Sequence, residues 1–171
     1  MQKDLRAAAI IGLVQNAPVK LGKTQVQKLV YFAQHCGMPL QYRYQIYRYG
    51  PYSFDLSQEL SSLDSLGVLN MQSAPSGYGL DISVGKFADR FKLEPRYQKK
   101  IQKIVKDFGS NTVAQLEVKA TIHFVFSVVK KTASGGKTRP QVVQKVHALK
   151  PHFSQSFIKR CYSDLEQANW I

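Results

Sequence analysis

The change of residue period at Gly50-Pro51 constrains this chain more than any other feature. Residues 42–49, YRYQIYRY, alternate Tyr42, Tyr44 and Ile46 against Arg43, Gln45 and Tyr47, the period-2 pattern of a strand. From Ser53 onward Leu56, Leu60, Leu63 and Leu66 recur at i, i+4, i+7 and i+10, the apolar face of a helix. Pro51 fixes φ and Gly50 tolerates backbone angles that other residues resist, so the pair predicts a sharp strand-to-helix turn. Ser53 supplies an N-cap hydroxyl and Gly67 a helix stop.

The pattern extends on both sides. Residues 2–16 place Leu5, Ala8, Ala9 and Leu13 at helical spacing before Pro18. Thr24 and Gln27 have the spacing of a capping box, and Val26, Leu29, Val30, Ala33 and Cys36 form one apolar face that ends at Gly37. After Gly67, VLNMQ and LDISV flank a turn-rich tip at residues 74–79, which predicts a β-hairpin. Helix, helix, strand, helix, hairpin is the order of a winged-helix domain. The predicted fold class is therefore α+β and mostly helical. A winged-helix-like core spans residues 1–92, and a basic helical extension packed on it spans 93–171. Within the extension, helices are expected at 95–108, 112–131, about 139–149 and 154–168. Thr112 and Gln115 repeat the capping-box spacing, and TASGGKT at 132–138 reads as a flexible linker.

An apolar content of 44% with 11% aromatics is enough for a packed core. No apolar run approaches the roughly 20 residues needed to cross a bilayer. AAAIIGLV at 7–14 reads as the buried face of a first helix and not as a signal peptide, so a cytoplasmic protein without membrane contact is expected. The net charge of +13 is unevenly spread along the sequence. Residues 1–94 hold 10 Lys/Arg against 7 Asp/Glu, whereas residues 95–171 hold 14 against 4. Such a basic half suits phosphate backbones or an acidic protein surface, and it also suits a merely solvated face. The candidate surface is Lys99, Lys100, Lys103 and Lys106, opposite the apolar face of their helix, with Lys137, Arg139, Lys159 and Arg160 beyond.

Catalytic and metal chemistry find little support. Cys36 and Cys161 lie in helical patterns and read as free thiols, and the four histidines have no metal-ligand spacing with Cys or carboxylates. SGGKT at 134–138 resembles the tail of a phosphate loop, but Lys131 stands where the first glycine belongs and no strand precedes it. Asp55 and Glu59, at i and i+4 beside a helix N-terminus, suit the helix dipole and complete no acid–base set. Neither an enzyme nor a cofactor nor a metal is expected. The third helix carries Asp55, Glu59 and Asp64, with no Lys or Arg between 49 and 85. That disfavours the usual insertion into a DNA groove and leaves Lys20, Lys23, Lys28 and the C-terminal half as nucleic-acid contacts.

Two motifs together carry a family resemblance. Val26-Gln27-Lys28-Leu29-Val30-Tyr31-Phe32 on the second helix, with Tyr49-Gly50-Pro51-Tyr52 and the leucine-rich helix through Gly67, resembles the SocA/Panacea-type antitoxin domains and the related YwgA-like proteins. LKPHFSQSFI at 149–158 is similar to the ending of YwgA-like chains. The resemblance covers about half the chain. It implies a non-enzymatic module of a toxin–antitoxin or phage-defence locus that binds and neutralises a toxin or acts as an adaptor. Macrodomain-linked relatives of this type act as acidic DNA mimics, which a chain at +13 does not imitate. The partner is then a cognate toxin with an acidic surface, or a nucleic acid. The residues that the resemblance points to are Lys28, Tyr31, Phe32, Tyr49, Gly50, Pro51, Tyr52 and Asp55. Tyr31 and Phe32 are expected to pack against Tyr49 and Tyr52 as a structural corner, with the polar ring tips still able to meet a partner. The apolar helix 112–131 is either core or a homo-oligomer interface.

Overall fold

The computed structural model describes residues 2–132 and 138–171. It is α+β and mostly helical, with seven α-helices and a small antiparallel sheet among the described residues. In order, the elements are α1 (Gln2–Asn16), β1 (Leu21–Gly22), α2 (Lys23–His35), β2 (Gln45–Tyr47), β3 (Gly50–Tyr52), α3 (Phe54–Ser65), β4 (Leu69–Ser73) and β5 (Leu80–Val84). A 3₁₀ turn at Ala88–Arg90 leads to α4 (Pro95–Phe108), α5 (Val113–Thr132), α6 (Thr138–Leu149) and α7 (Gln155–Gln167). The main sheet has the order β1-β5-β4, with Leu21 and Met71 both opposite Ile82. The predicted linker at 132–138 falls almost entirely outside the described residues. No single described helix is long and apolar enough to cross a membrane.

The chain forms two compact units. The first comprises Met1–Gln45 and Tyr52–Asn111, and the second comprises Ile46–Pro51 and Thr112–Ile171. The sequence places a boundary after residue 92. In the structure α4 packs against α1 and α2, so the division falls between Asn111 and Thr112, and a six-residue piece of the N-terminal half joins the second unit.

In the first unit Ile10, Leu13, Val26, Leu29, Leu56, Leu60, Ile82, Ile101 and Ile104 are buried, and Phe32 stacks on Phe108 with ring centroids 3.9 Å apart. Each such side chain contributes about 1.5–3 kcal/mol on burial. In the second unit α5 packs on α6 and α7, with Leu116, Val118, Ile122, Val142, Val146, Ile158 and Leu165 buried.

Several local expectations change. The strand over 42–49 is only Gln45–Tyr47, although the alternation survives as burial: Tyr42 is buried, Tyr44 and Ile46 are half-buried, and Arg43, Gln45 and Tyr47 are exposed. Gly50-Pro51 does not end the strand. It opens the returning arm of a tight hairpin whose turn is Arg48-Tyr49, and Gly50 has φ +82°, the left-handed region that only glycine enters without strain. Helix α2 starts one residue earlier than Thr24. Its cap is Gly22, whose N–H donates to Gln25 Oε1 at 2.9 Å, so Gln27 is released for another task. Leu66 lies past the last turn of α3 and is exposed, while Leu56, Leu60 and Leu63 face inward. The caps at Ser53 and Thr112 form as the spacing implies. Ser53 Oγ accepts from Leu56 N at 3.2 Å, and Thr112 and Gln115 exchange bonds of 2.9 and 3.2 Å.

Candidate functional site

The stretch from Tyr42 to Ser53 leaves α2, turns and returns, and two glutamines on α2 fix its ends. Gln34 and Gln27 are seven residues apart, so they lie on one helix face. Gln34 accepts from Tyr42 N at 2.7 Å and donates to Tyr42 O at 3.0 Å. Gln27 accepts from Ser53 N at 3.0 Å and donates to Ser53 O at 2.9 Å, with both residues fully buried. Each side-chain amide thus satisfies both backbone groups of one residue, as a neighbouring strand would. The Ser53 C=O also accepts from Ser57 N at 3.1 Å, so it is the N–H of Ser53 that depends on Gln27.

The tip of the hairpin, Ile46–Pro51, belongs to the second unit. There Lys150 Nζ donates to the Arg48 carbonyl and lies 2.7 Å from Glu117 Oε1. Glu117 and Lys150 are almost wholly enclosed, so each charge is balanced chiefly by the other. The contact is an ion pair without hydrogen-bond alignment at Glu117 Oε1. A second pair, Lys119 with Asp164 at 2.9 Å, ties α5 to α7. The LKPHFS stretch has a legible division of labour. Lys150 holds the hairpin, Pro151 stops α6, Phe153 packs on Phe157, and Ser154 Oγ accepts from Phe157 N at 3.2 Å to cap α7. The Tyr-Gly-Pro motif and the Lys-Pro motif, about a hundred residues apart in sequence, therefore meet at Arg48 and Lys150.

This hairpin displays its aromatics. Tyr47 and Tyr49 are 54% and 51% exposed, whereas Gly50 and Pro51 are buried. The corner reading therefore fits Gly50 and Pro51 but not Tyr49. Tyr31 has ring contacts with Phe32, His35 and Tyr44, and Phe32 stacks on Phe108. Tyr52 is half-buried and sits edge-on to Phe54. Lys28 is fully buried and offers no surface contact. Burial pushes the hydroxyls of Tyr31, Tyr42 and Tyr44 well above the usual phenol range, so all three stay protonated. Beside the tip, Ile46, Phe124, Val128, Leu149 and Lys145 line an apolar groove of about 370 Å³.

The carboxylates have structural duties. Glu59 accepts from Tyr42 Oη at 2.9 Å and lies 3.6 Å from Arg6, whose Nε donates to Leu40 O at 2.6 Å. Asp64 accepts from Met71 N at 2.7 Å, and Asp55 makes an exposed pair with Arg43 at 3.7 Å. Several basic residues are engaged too. Lys100 donates to Cys36 O and Gly37 O at 2.7 and 2.9 Å, capping α2 where Gly37 takes φ +83°, and Lys103 pairs with Asp107 at 2.6 Å. Arg139 binds Glu166 at 2.9 Å and Ser163 at 2.7 Å. Lys99, Lys106, Lys159 and Arg160 are exposed, and Lys137 lies outside the described residues. Cut where the chain folds, the first unit holds 14 Lys/Arg against 8 Asp/Glu, a net of +6. The second unit holds 10 against 3, a net of +7. The steep N-to-C charge gradient of the sequence therefore narrows to near-equal net charges, with the second unit the smaller and so the more densely charged.

Among the described residues no three His, Cys, Asp or Glu side chains gather as a metal site. Cys36 and Cys161 are free, and burial pushes the Cys161 thiol up to about 11. No protein-family model matches the chain, nor does any curated protein.

Proposed function

We propose that this chain is a non-enzymatic protein-binding module, antitoxin-like or an adaptor, whose contact surface is the hairpin tip at Ile46–Pro51. The observation that carries this reading is the pairing of two half-exposed tyrosines with a rigid mount. Tyr47 and Tyr49 flank a backbone carbonyl held by the buried Lys150–Glu117 pair. Tyrosines presented on an ordered backbone cost little entropy when they dock, and for that reason they dominate many interfaces. The partner has an acidic surface, because the unit that displays the tip carries +7 and the exposed Arg48 lies between the two tyrosines in sequence. The resemblance to SocA/Panacea-type domains makes a cognate toxin the natural candidate, and the commitments of Glu59, Asp64 and Asp55 leave no acid–base set at the start of α3. Co-expression with the product of the adjacent gene should give a stable complex. Tyr49→Ala should weaken that complex at least tenfold and leave the melting temperature unchanged. A Tyr49→Ala protein that binds as before removes the tip from the interface, and the lack of any complex removes the reading.

A second reading, a nucleic-acid-binding winged-helix protein, is favoured by one specific observation. Apart from the inserted β2–β3 hairpin, the element order with β1-β5-β4 resembles that of a winged helix, in which α3 would be the groove-reading helix and β4–β5 the wing. The exposed side of α3 presents Gln58, Ser61, Ser62 and Ser65, while Glu59 and Asp64 bond inside the unit, so the acidic objection raised by the sequence weakens. Titration of a DNA duplex at two salt concentrations tests it. Binding that falls with a log–log slope of about −0.9 per phosphate supports it, and binding weaker than micromolar at low salt sinks it.

A further inference from the structure

We infer that the apolar groove beside the hairpin tip receives an amphipathic helix of an acidic protein partner, with apolar anchors in the groove and a carboxylate on Lys145. This inference rests on the protein-binding reading and extends it from the tyrosine tip to a second, chemically different contact in the same unit.

Three observations converge on that occupant. First, the groove is open and left partly wet: Val128 and Leu149 on its walls are 48% and 47% exposed, in a unit whose other large aliphatic residues are mostly buried. The lining is almost wholly apolar, which suits apolar anchors from a partner. Second, its volume of about 370 Å³ sits at the low end of ligand sites, about 300–1,000 Å³, yet it lacks the several converging polar groups that orient a small molecule. Lys145 is the single charged residue on its wall, exposed and with no ion-pair partner among the described residues. One cation beside an apolar trough matches a helix whose apolar positions at i and i+4 are flanked by Glu or Asp. Third, the charge of the unit selects against a second copy of this chain. Two +7 surfaces would have to approach each other, whereas an acidic partner gains from the same field. The groove also begins at Ile46, next to Tyr47, so one partner can cover the tip and the groove together.

The test is fluorescence anisotropy on the full chain with a labelled helical peptide carrying Leu at i, i+4 and i+7 and Glu at the flanking positions. A control peptide has every Glu replaced by Lys, and sodium laurate serves as an apolar competitor. The Glu peptide should bind at least tenfold more tightly than the Lys peptide. Val128→Glu should abolish binding with an unchanged circular dichroism spectrum, and Lys145→Glu should invert the preference between the peptides. Equal binding of both peptides, or full binding by Val128→Glu, overturns the inference. Displacement by laurate at stoichiometric ratio assigns the groove to a small amphiphile instead. Concentration-dependent sedimentation that Val128→Glu removes assigns it to a second copy. Groove variants that still form the complex lost in Tyr49→Ala remove this inference and leave the protein-binding reading in place. Peptide binding without any complex with the adjacent gene product does the reverse.

Discussion

Two kinds of clamp hold the stretch from Tyr42 to Ser53, and they differ in charge. At its roots, in the first unit, Gln34 and Gln27 each pair with the N–H and C=O of one residue, neutral amide against neutral amide. At its tip, in the second unit, a single carbonyl is held by a lysine whose charge is itself balanced by a buried glutamate. The neutral clamps are local, reaching 8 and 26 residues along the chain, and they replace strand pairing where no strand is available. The charged clamp reaches 102 residues. Taking two charges out of water costs several kcal/mol per ion, which their attraction roughly repays, so the ion pair adds little net stability and much dependence of each partner on the other. The roots are held by good hydrogen bonding, and the tip by a pair that tolerates no single loss.

That difference can be broken most forcefully at the tip. Lys150→Ala leaves Glu117 buried without its counter-charge and should cost about 3–5 kcal/mol. Trp170, the single tryptophan, stands beside His123 in the second unit, so its fluorescence in a urea titration reports that unit. The double change Glu117→Leu with Lys150→Met should recover most of the loss. A double variant as unstable as Lys150→Ala would mean that the pair itself, and not the unpaired charge, stabilises the unit. Next in size is Gln27→Leu, which orphans the buried N–H of Ser53, while its C=O keeps the bond from Ser57 N at 3.1 Å, and should cost about 1–3 kcal/mol in the circular dichroism melt. The same substitution at the half-buried Gln34 should cost less, since water can replace the lost bonds. Ser53→Ala removes only the α3 cap and should cost about 1 kcal/mol. Smallest is the pair Lys99→Glu and Lys106→Glu, which should shift stability by no more than about 0.5 kcal/mol. Any change in partner binding by this pair at low salt would then be electrostatic.

Local features were legible in the sequence and distant ones were not. The stops at Gly37 and Gly67, the caps at Ser53 and Thr112 and the inward leucines of α3 depend on neighbours within four residues, which periodicity reports directly. Gln27 was legible as a polar residue next to an apolar face, but its cap-box spacing to Thr24 gave it a local partner. Its real one lies 26 residues away. Lys100 looks like one of a row of surface lysines until α4 lies against the C-terminus of α2 and turns it into a cap. The same applies to the candidate site. Tyr49, Gly50 and Pro51 stood out as a motif, yet which of them is displayed and which is buried depends on Lys150, and no spacing rule connects Arg48 to Lys150.

The ownership of residues 46–51 by the second unit has a consequence for the order of events during synthesis. Chains emerge at roughly 5–20 residues per second, so Arg48 is made about 5–20 s before Lys150, its partner 102 residues later. Closing a loop of that length costs roughly 4 kcal/mol in chain entropy by the logarithmic law, and nothing made earlier can hold the tip in its place. For that interval the roots of the stretch can already reach Gln34 and Gln27, while its tip, with the two tyrosines, lacks Lys150. A chain cut after α4 would lack Lys150 and Glu117, and with them the charged clamp of the tip.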